Sequence, residues 1–120
     1  MFSRKNRIPR EKLEEIIKQS KSLGSVFFNV KFQENNLDFP RFSVIVSKKV
    51  CKSSVGRHLL KRRFLSIIRD QFKSFVQKDY VFFLKKEANK ENFKDLEYAV
   101  IAYLMNADTY EILQVIMVEP

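Results

Sequence analysis

One segment of the sequence limits the possible folds more than any other: the stretch from about Ser53 to Gln77, in which apolar residues recur every three or four positions. The apolar positions are Val55, Leu59, Leu60, Phe64, Ile67, Ile68, Phe72 and Phe75. Basic residues form a second stripe at similar spacing, namely Arg57, Lys61, Arg62, Arg69 and Lys73. This pattern predicts a long amphipathic helix that buries one face in a core and leaves the other for a polyanion.

The segments on either side of this helix predict strands. Alternation from about Ser25 to Phe32, and β-branched residues between Arg41 and Ser47, predict two strands. The polar residues 33–39, closed by Pro40, predict the turn or hairpin loop that joins these strands as a pair. A third strand is predicted from Asp79 to Leu84.

Two further helices complete the predicted order. Helical spacing predicts a first helix from Arg10 to about Ser22, with Gly24 as its stop, and a last helix from Glu91 to about Asn106. The apolar tail from Thr109 to Val118 predicts a strand or a helix extension. The order α-β-β-α-β-α predicts an α+β fold in which helices pack against a small mixed β-sheet.

The chain has 120 residues, a length that suits one domain. Within that domain, residues 1–9 are predicted to be a basic, mobile arm and residues 107–120 a C-terminal extension. Hydrophobic residues make up 45% of the chain, which contains only two glycines and three prolines. These values predict an ordered chain with one core, and we expect it to be a monomer.

The positive charge of the chain is concentrated in one stretch. The formal net charge is +9, and all of the excess lies between Arg41 and Arg69, where there are nine basic residues and no Asp or Glu. The remainder of the chain has fourteen basic and fourteen acidic residues. Such a stretch favours a polyanion, because each cation placed on a phosphate releases condensed counterions. The alternative is a basic surface that serves only solubility.

Several classes of protein are excluded by composition. Cys51 is the only cysteine, which rules out an internal disulfide and a Cys-rich metal site. His58 is the only histidine and lies within a basic helix, which disfavours the usual catalytic triads and His-based metal sites. No apolar run is long enough for a membrane span, and no signal peptide is evident, so we expect a cytoplasmic protein without a membrane partner. We expect no catalytic side chains. His58 could hydrogen-bond or stack on a base, or it could be an ordinary surface residue.

A specific motif lies within the basic stretch. A strand beginning at Arg41 leads into Ser47-Lys48-Lys49, then into a turn of small residues, and then into Arg57-His58-Leu59-Leu60-Lys61-Arg62 on the helix. This arrangement resembles the bacterial ribonuclease P protein family, over about residues 7–105. The resemblance implies a fold like that of the second domain of a small-subunit ribosomal protein.

The chain departs from the family pattern at several positions. His58 stands where the family has Asn, and Cys51 where its turn usually has Gly. Leu65 and Ser66 replace an Arg-Glu pair, for which Arg69 could substitute in part. Leu13 and Ile17 stand where the first helix of the family usually presents Phe. The chain is therefore interpreted as a divergent member.

The resemblance implies a division of labour. In this family the RNA subunit cuts precursor tRNA with the help of Mg²⁺, and the protein binds that RNA and the 5′ leader of the substrate. The partners implied are ribonuclease P RNA and precursor tRNA, and no metal is expected on protein ligands. The residues predicted to bind RNA are Arg41, Ser47, Lys48, Lys49, Lys52, Arg57, His58, Lys61, Arg62, Arg63 and Arg69. Those predicted to hold the leader are Leu13, Ile17, Phe28, Val30, Phe42 and Val44.

Alternatives remain open at this point. The leader residues could be ordinary core residues, and Phe27 and Phe32, interpreted as the opposite strand phase to Phe28, are the alternates. A small ribosomal or other structural RNA-binding protein would share the basic stretch. A DNA-binding regulator is disfavoured because strands flank the basic helix, and an autonomous nuclease because the stretch lacks carboxylates for a metal.

Overall fold

The computed structural model describes residues 4–18, 22–88 and 93–104. Its elements are α1 (Arg10–Ile17), β1 (Leu23–Gly24), β2 (Phe28–Glu34), β3 (Arg41–Ile45), α2 (Ser54–Asp70) and β4 (Lys78–Leu84). Short 3-10 helices occur at Arg4–Asn6 and Phe72–Ser74, and residues 93–104 are helical and form α3. The predicted α+β class is confirmed. Within the described residues, no helix combines the length and apolarity needed to cross a membrane.

The sheet has four strands in the order β1-β2-β4-β3. β4 pairs antiparallel with β2 and parallel with β3, and α2 forms the crossover between the two parallel strands. The predicted pairing of the strands that correspond to β2 and β3 as a hairpin is therefore wrong, because β4 lies between them. The reason is composition: Tyr80–Leu84 is continuously apolar, and Val81 and Phe82 are fully buried, so this strand takes a central position where both faces are covered.

Side chains of the strands alternate between the two faces of the sheet, and each face packs against different helices. One face packs against α2 and α3, through Phe28, Val30, Phe42, Val44, Phe82, Phe64, Ile68, Leu96 and Val100. The rings of Phe64 and Phe82 lie 4.9 Å apart at the centre of this core. The other face packs against α1 in a smaller cluster of Ile8, Ile16 and Val81, flanked by Leu13, Ile45 and Phe83. The two faces therefore carry α1 on one side and α2 on the other.

Element boundaries differ from the prediction where local hydrogen bonds intervene. The first long strand begins at Phe28 rather than Ser25, because the Ser25 hydroxyl accepts hydrogen bonds from the backbone N–H groups of Phe27 and Phe28 and forms a turn. α1 is described as far as Ile17 and its cap at Lys18.

The helix α2 ends at Asp70 rather than Gln77. After the 3-10 helix that follows, the ring centroid of Phe75 lies 4.9 Å from that of Phe42. The predicted core residues Phe72 and Phe75 therefore still pack in the core. The predicted strand Asp79–Leu84 is confirmed as Lys78–Leu84, and the predicted last helix is confirmed over 93–104. The extension 107–120, with the prediction for Thr109–Val118, lies outside the described residues.

The N-terminal segment is packed rather than mobile over the residues that are described. Asn6 and Ile8 are buried, at 6% and 9% exposure. The Asn6 side-chain amide donates a 3.0 Å hydrogen bond to the carbonyl of Pro40, and Arg7 forms a parallel backbone bridge with Phe42 on β3. The prediction of a mobile arm is wrong here, because Asn6 and Ile8 give the segment a polar and an apolar anchor.

Candidate nucleic-acid interface

The turn between β3 and α2 presents Ser47, Lys48 and Lys49 to solvent. It is tight because the backbone N–H groups of Val50 and Cys51 both donate to the carbonyl of Ser47, at 3.1 and 3.2 Å. The predicted Ser-Lys-Lys motif therefore lies on an ordered, exposed turn at the start of the basic helix.

The first turn of α2 is fixed by its own side chains. The Ser53 hydroxyl caps the helix by accepting a 3.2 Å hydrogen bond from the N–H of Gly56. Arg57 donates through Nη1 to the carbonyls of Cys51 and Lys52, at 3.1 and 2.8 Å. Arg57 was predicted to contact RNA, but its hydrogen bonds show that it also holds the preceding turn against the helix.

The remaining basic residues of α2 carry charge that the described carboxylates leave uncompensated. Lys61 and Arg63 are half-buried, and His58 and Arg62 are exposed. Among the described residues, none of Lys48, Lys49, Lys52, Lys61, Arg62 and Arg63 lies within ion-pair distance of an acidic side chain. Arg69 has a single long contact of 4.0 Å with Asp70. Helix α2 and its preceding turn thus form one cationic surface.

A groove of about 860 Å³ runs beside this surface, between α2 and the N-terminal segment. Its cationic lining residues are Arg7, Lys61, Arg62, Arg63 and Arg69, and its apolar ones are Ile8, Phe42, Val44, Leu59 and Leu65. Asn6, Ser43 and Ser66 complete the lining, which includes no Asp or Glu. Sequence reasoning missed the contribution of Arg7, since nothing in the sequence indicates that the arm lies along β3.

Arg41 belongs to a different environment from the other predicted RNA-binding residues. Its Nε and Nη2 each donate a 2.7 Å hydrogen bond to the carboxylate of Asp79, which is buried. The hydrogen bond to Asp79 raises the pKa of Arg41, although partial burial acts in the opposite direction. Because Asp79 neutralises this guanidinium, the structure does not support the phosphate contact predicted for Arg41.

The predicted leader platform is split between the two faces of the sheet. Phe28, Val30, Phe42 and Val44 are no more than 7% exposed and form the core beneath α2, whereas Leu13 and Ile17 lie on α1 at the opposite face. Phe28 and Val30 are closed to a bound strand in the folded protein, whereas Phe42 and Val44 expose only a small edge, in the groove beside α2. This part of the prediction is wrong, because helices cover both faces and the buried phase cannot be inferred from alternation alone.

The alternates, Phe27 and Phe32, do not supply an exposed leader platform in place of the buried sheet residues. Phe32 shares the face of Phe28, contrary to the predicted strand phase, and packs 6.5 Å from the Tyr80 ring. Phe27 packs against the same core.

The face of the sheet beside α1 holds a different combination of side chains. Lys31 donates through Nζ a 2.8 Å hydrogen bond to the carbonyl of Ile17, and the same atom lies 5.9 Å from the Phe83 ring centroid. Phe83 is half-buried, and Ile17 is 37% exposed. A cation and an aromatic ring therefore meet near the C-terminal end of α1, where the side chain of Ile17 is exposed.

The comparisons with known proteins agree with one another. The family model described as Ribonuclease P matches residues 2–108. The ribonuclease P protein component of Aliivibrio salmonicida is 35% identical over 95 residues, covering 78% of this chain and 81% of the relative. That of Vibrio cholerae is 32% identical over 90 residues, covering 72% and 73%.

Solved structures show the same likeness. The ribonuclease P protein from Thermotoga maritima has a TM-score of 0.65 at 30% identity, covering 84% of this chain and 93% of that one. The protein from Staphylococcus aureus has a TM-score of 0.73 at 22% identity, covering 85% and 94%, and supports the fold alone.

Proposed function

The chain belongs to the ribonuclease P protein family and is the protein subunit of that endoribonuclease, a ribonucleoprotein; on this premise we propose that its cationic surface binds the RNA subunit and that the sheet face beside α1 holds the 5′ leader of precursor tRNA. The ribonuclease P RNA is its partner. A small ribosomal protein is not favoured, because the matched family and relatives are ribonuclease P proteins.

One observation carries the proposal for the RNA subunit: a run of exposed or half-buried cations extends from the turn at Ser47 along α2. Among the described residues, its only acidic partner is Asp70, which lies 4.0 Å from Arg69. The residues proposed for phosphate contacts are Ser47, Lys48, Lys49, Lys52, Lys61, Arg62, Arg63 and Arg69, with His58 beside them. Side chains arranged along a helix match a sugar-phosphate backbone, which supplies affinity without reading sequence. We assign Arg57 a positioning role as well, because its guanidinium holds the turn that presents Lys48 and Lys49.

The leader proposal moves to the face of the sheet that carries α1. Single-stranded RNA favours sites that combine a ring on which a base can stack with a cation for the backbone. Phe83 and Lys31 provide these groups next to one another. Ile17, whose carbonyl accepts a hydrogen bond from Lys31, adds an exposed aliphatic side chain at the end of α1, and Leu13 is half-buried on the same helix. We retain Leu13 and Ile17 from the predicted platform and replace its buried sheet residues with Lys31 and Phe83.

The chemistry of cleavage is not assigned to protein side chains. The described residues contain no group of three or more His, Cys, Asp or Glu that could hold a metal ion. We propose that Mg²⁺ acts in the holoenzyme on the RNA subunit, and that the protein contributes affinity and position. We further propose that it acts as a monomer in the cytoplasm.

Reconstitution tests the proposed function directly. Precursor tRNA, the ribonuclease P RNA of the same source and Mg²⁺ are combined at near-physiological salt, with and without the protein. The expected result is a large increase in 5′ processing with protein, and no cleavage by the protein alone. Unchanged processing with the matched RNA would contradict the proposal, and cleavage by the protein alone would move catalysis to its side chains.

A further inference from the structure

We propose that the groove between α2 and the N-terminal segment receives an unpaired nucleotide of the RNA subunit, with its base against the apolar wall and its phosphates on the cationic rim. This inference rests on the proposed function, and it adds to it the kind of RNA element recognised. A helix face alone offers a convex surface, which suits a duplex backbone. Here the packed segment Arg4–Ile8 converts that surface into a concave site of about 860 Å³, a volume typical of ligand pockets.

The N-terminal wall of the groove is held in place before any RNA binds. Asn6 donates to the carbonyl of Pro40, and Ile8 is buried against the sheet. The loop whose Pro40 carbonyl accepts the hydrogen bond from Asn6 is itself fixed. The side-chain amide of Asn35 donates hydrogen bonds to the carbonyl of Phe39 and to the carboxylate of Asp79. A preorganised wall reduces the entropic cost of binding, so the groove is suited to a specific ligand.

The rim of the groove is suited to phosphate. Arg7, Arg62 and Arg69 are exposed, and Lys61 and Arg63 are half-buried, with no acid among the lining residues. Arginine can bind a phosphate through two parallel hydrogen bonds and can also stack on a base. This rim therefore suits a nucleotide better than a simple inorganic anion.

The apolar wall is what distinguishes an unpaired nucleotide from a duplex. Leu59 is 44% exposed and stands in the groove among the cations, together with Leu65. Phosphate binding gains nothing from an exposed leucine, whereas the face of a base does, because its burial removes apolar surface from water. Ser43 and Ser66 belong to the same lining and add polar atoms that can hydrogen-bond the edge of a base. In a paired A-form helix the face of the base is stacked on its neighbours and is inaccessible.

Crosslinking tests which RNA element enters the groove. An aryl azide is attached to Leu59→Cys, or to Val55→Cys as a control, in the full-length protein with Cys51→Ala to remove the native thiol. Val55 is 77% exposed on the same helix but does not line the groove. With bound ribonuclease P RNA, position 59 is expected to crosslink to one nucleotide that chemical probing finds unpaired in the free RNA, and position 55 to crosslink elsewhere. Crosslinks from position 59 to base-paired nucleotides would overturn the inference.

Measurements of RNA affinity, which need no crosslinker, provide a second test. Leu59→Ser is expected to weaken RNA binding about threefold to tenfold with the salt dependence unchanged, because only apolar contact is lost. Arg7→Ala is expected to reduce the salt slope by about one unit. Arg4→Ala, an exposed residue of the same segment outside the groove, should leave the slope unchanged.

The two proposals fail in different ways. If Lys61→Ala and Arg62→Ala weaken binding while Leu59→Ser and Arg7→Ala do not, the groove inference is wrong and the cationic surface stands. If none of the four variants changes binding, both proposals are wrong.

Discussion

The guanidinium of Arg41, at the start of β3, donates two hydrogen bonds of 2.7 Å to the carboxylate of Asp79, whose side chain is 1% exposed. The two residues are also register partners of the parallel pair formed by β3 and β4. Asn35, from the loop before β3, donates a third hydrogen bond to the same carboxylate. The ion pair therefore joins the N-terminal ends of two strands that the chain connects only through α2.

Replacing Arg41 with Met should destabilise the fold by about 3 kcal/mol, because it leaves a buried carboxylate without its cation. Urea unfolding measures this loss. Lys12→Ala, which removes an exposed ion pair with Glu15, is the control and should change stability by less than about 1 kcal/mol. A similarly small loss for Arg41→Met would contradict the structural role assigned to Arg41.

The protonation of Arg41 should stabilise the fold equally at all neutral pH values. The hydrogen bond to Asp79 raises the pKa of Arg41, so the stabilisation linked to its protonation is present below the pKa of the unfolded state. It is lost only as pH rises through the still higher pKa of the folded state. Unfolding at several pH values between about 6 and 9 should therefore show no titration from this residue.

The sequence was sufficient to predict elements whose signal is local. The amphipathic spacing around Phe64 and Ile68 predicted the centre of α2, and the apolar run from Tyr80 to Leu84 predicted β4. The basic surface was likewise predictable, because cations on a helix with no acidic neighbours in sequence remain exposed or half-buried in the fold. These features depend on residues within a few turns of one another.

What could not be predicted depends on contacts between distant residues. Arg41 and Asp79 are 38 positions apart, and nothing in the sequence around Arg41 separates it from the other cations. The insertion of β4 between β2 and β3, and the face on which Phe28 is buried, follow from how strands pair across the whole chain. The packing of Asn6 against Pro40, which completes the groove, spans 34 positions.

Gly56 and Cys51 should be energetically coupled. A Cβ atom at Gly56 would lie 2.5 Å from the Cys51 Sγ, so Gly56→Ala forces the thiol to move. In the Cys51→Ala background, which lacks Sγ, the same change should stabilise α2 by up to about 1 kcal/mol through its higher helix propensity. A double-mutant cycle measured by thermal unfolding should therefore show a smaller gain, or a loss, in the wild-type background. Equal effects in both backgrounds would show that the thiol moves freely.

The salt dependence of RNA affinity should distinguish cations of α2 that contact phosphate from cations elsewhere on the protein. Lys61→Ala and Arg62→Ala are each expected to reduce the slope for ribonuclease P RNA by about one unit, because one phosphate contact is lost. Lys94→Ala, which removes an exposed cation from α3, should leave the slope unchanged and serves as the charge-matched control.

Arg57→Ala should behave differently from both, because Arg57 also holds the turn through two backbone carbonyls. We expect it to lower the free energy of unfolding by about 1–3 kcal/mol in addition to weakening RNA binding. A variant with normal stability would limit Arg57 to RNA contact.

The sheet face beside α1 should distinguish substrates by their leader. Ile17→Ala removes the exposed aliphatic side chain of the residue whose carbonyl accepts a hydrogen bond from Lys31. The change should weaken holoenzyme binding of precursor tRNA several-fold, by about 1 kcal/mol. Binding of mature tRNA, which lacks the leader, should not change. Val26→Ala alters an apolar side chain that is 65% exposed in the turn before β2, and it should affect neither RNA. Equal losses for precursor and mature tRNA would show that Ile17 acts outside the leader site, and a loss caused by Val26→Ala would place the leader at the other end of β2.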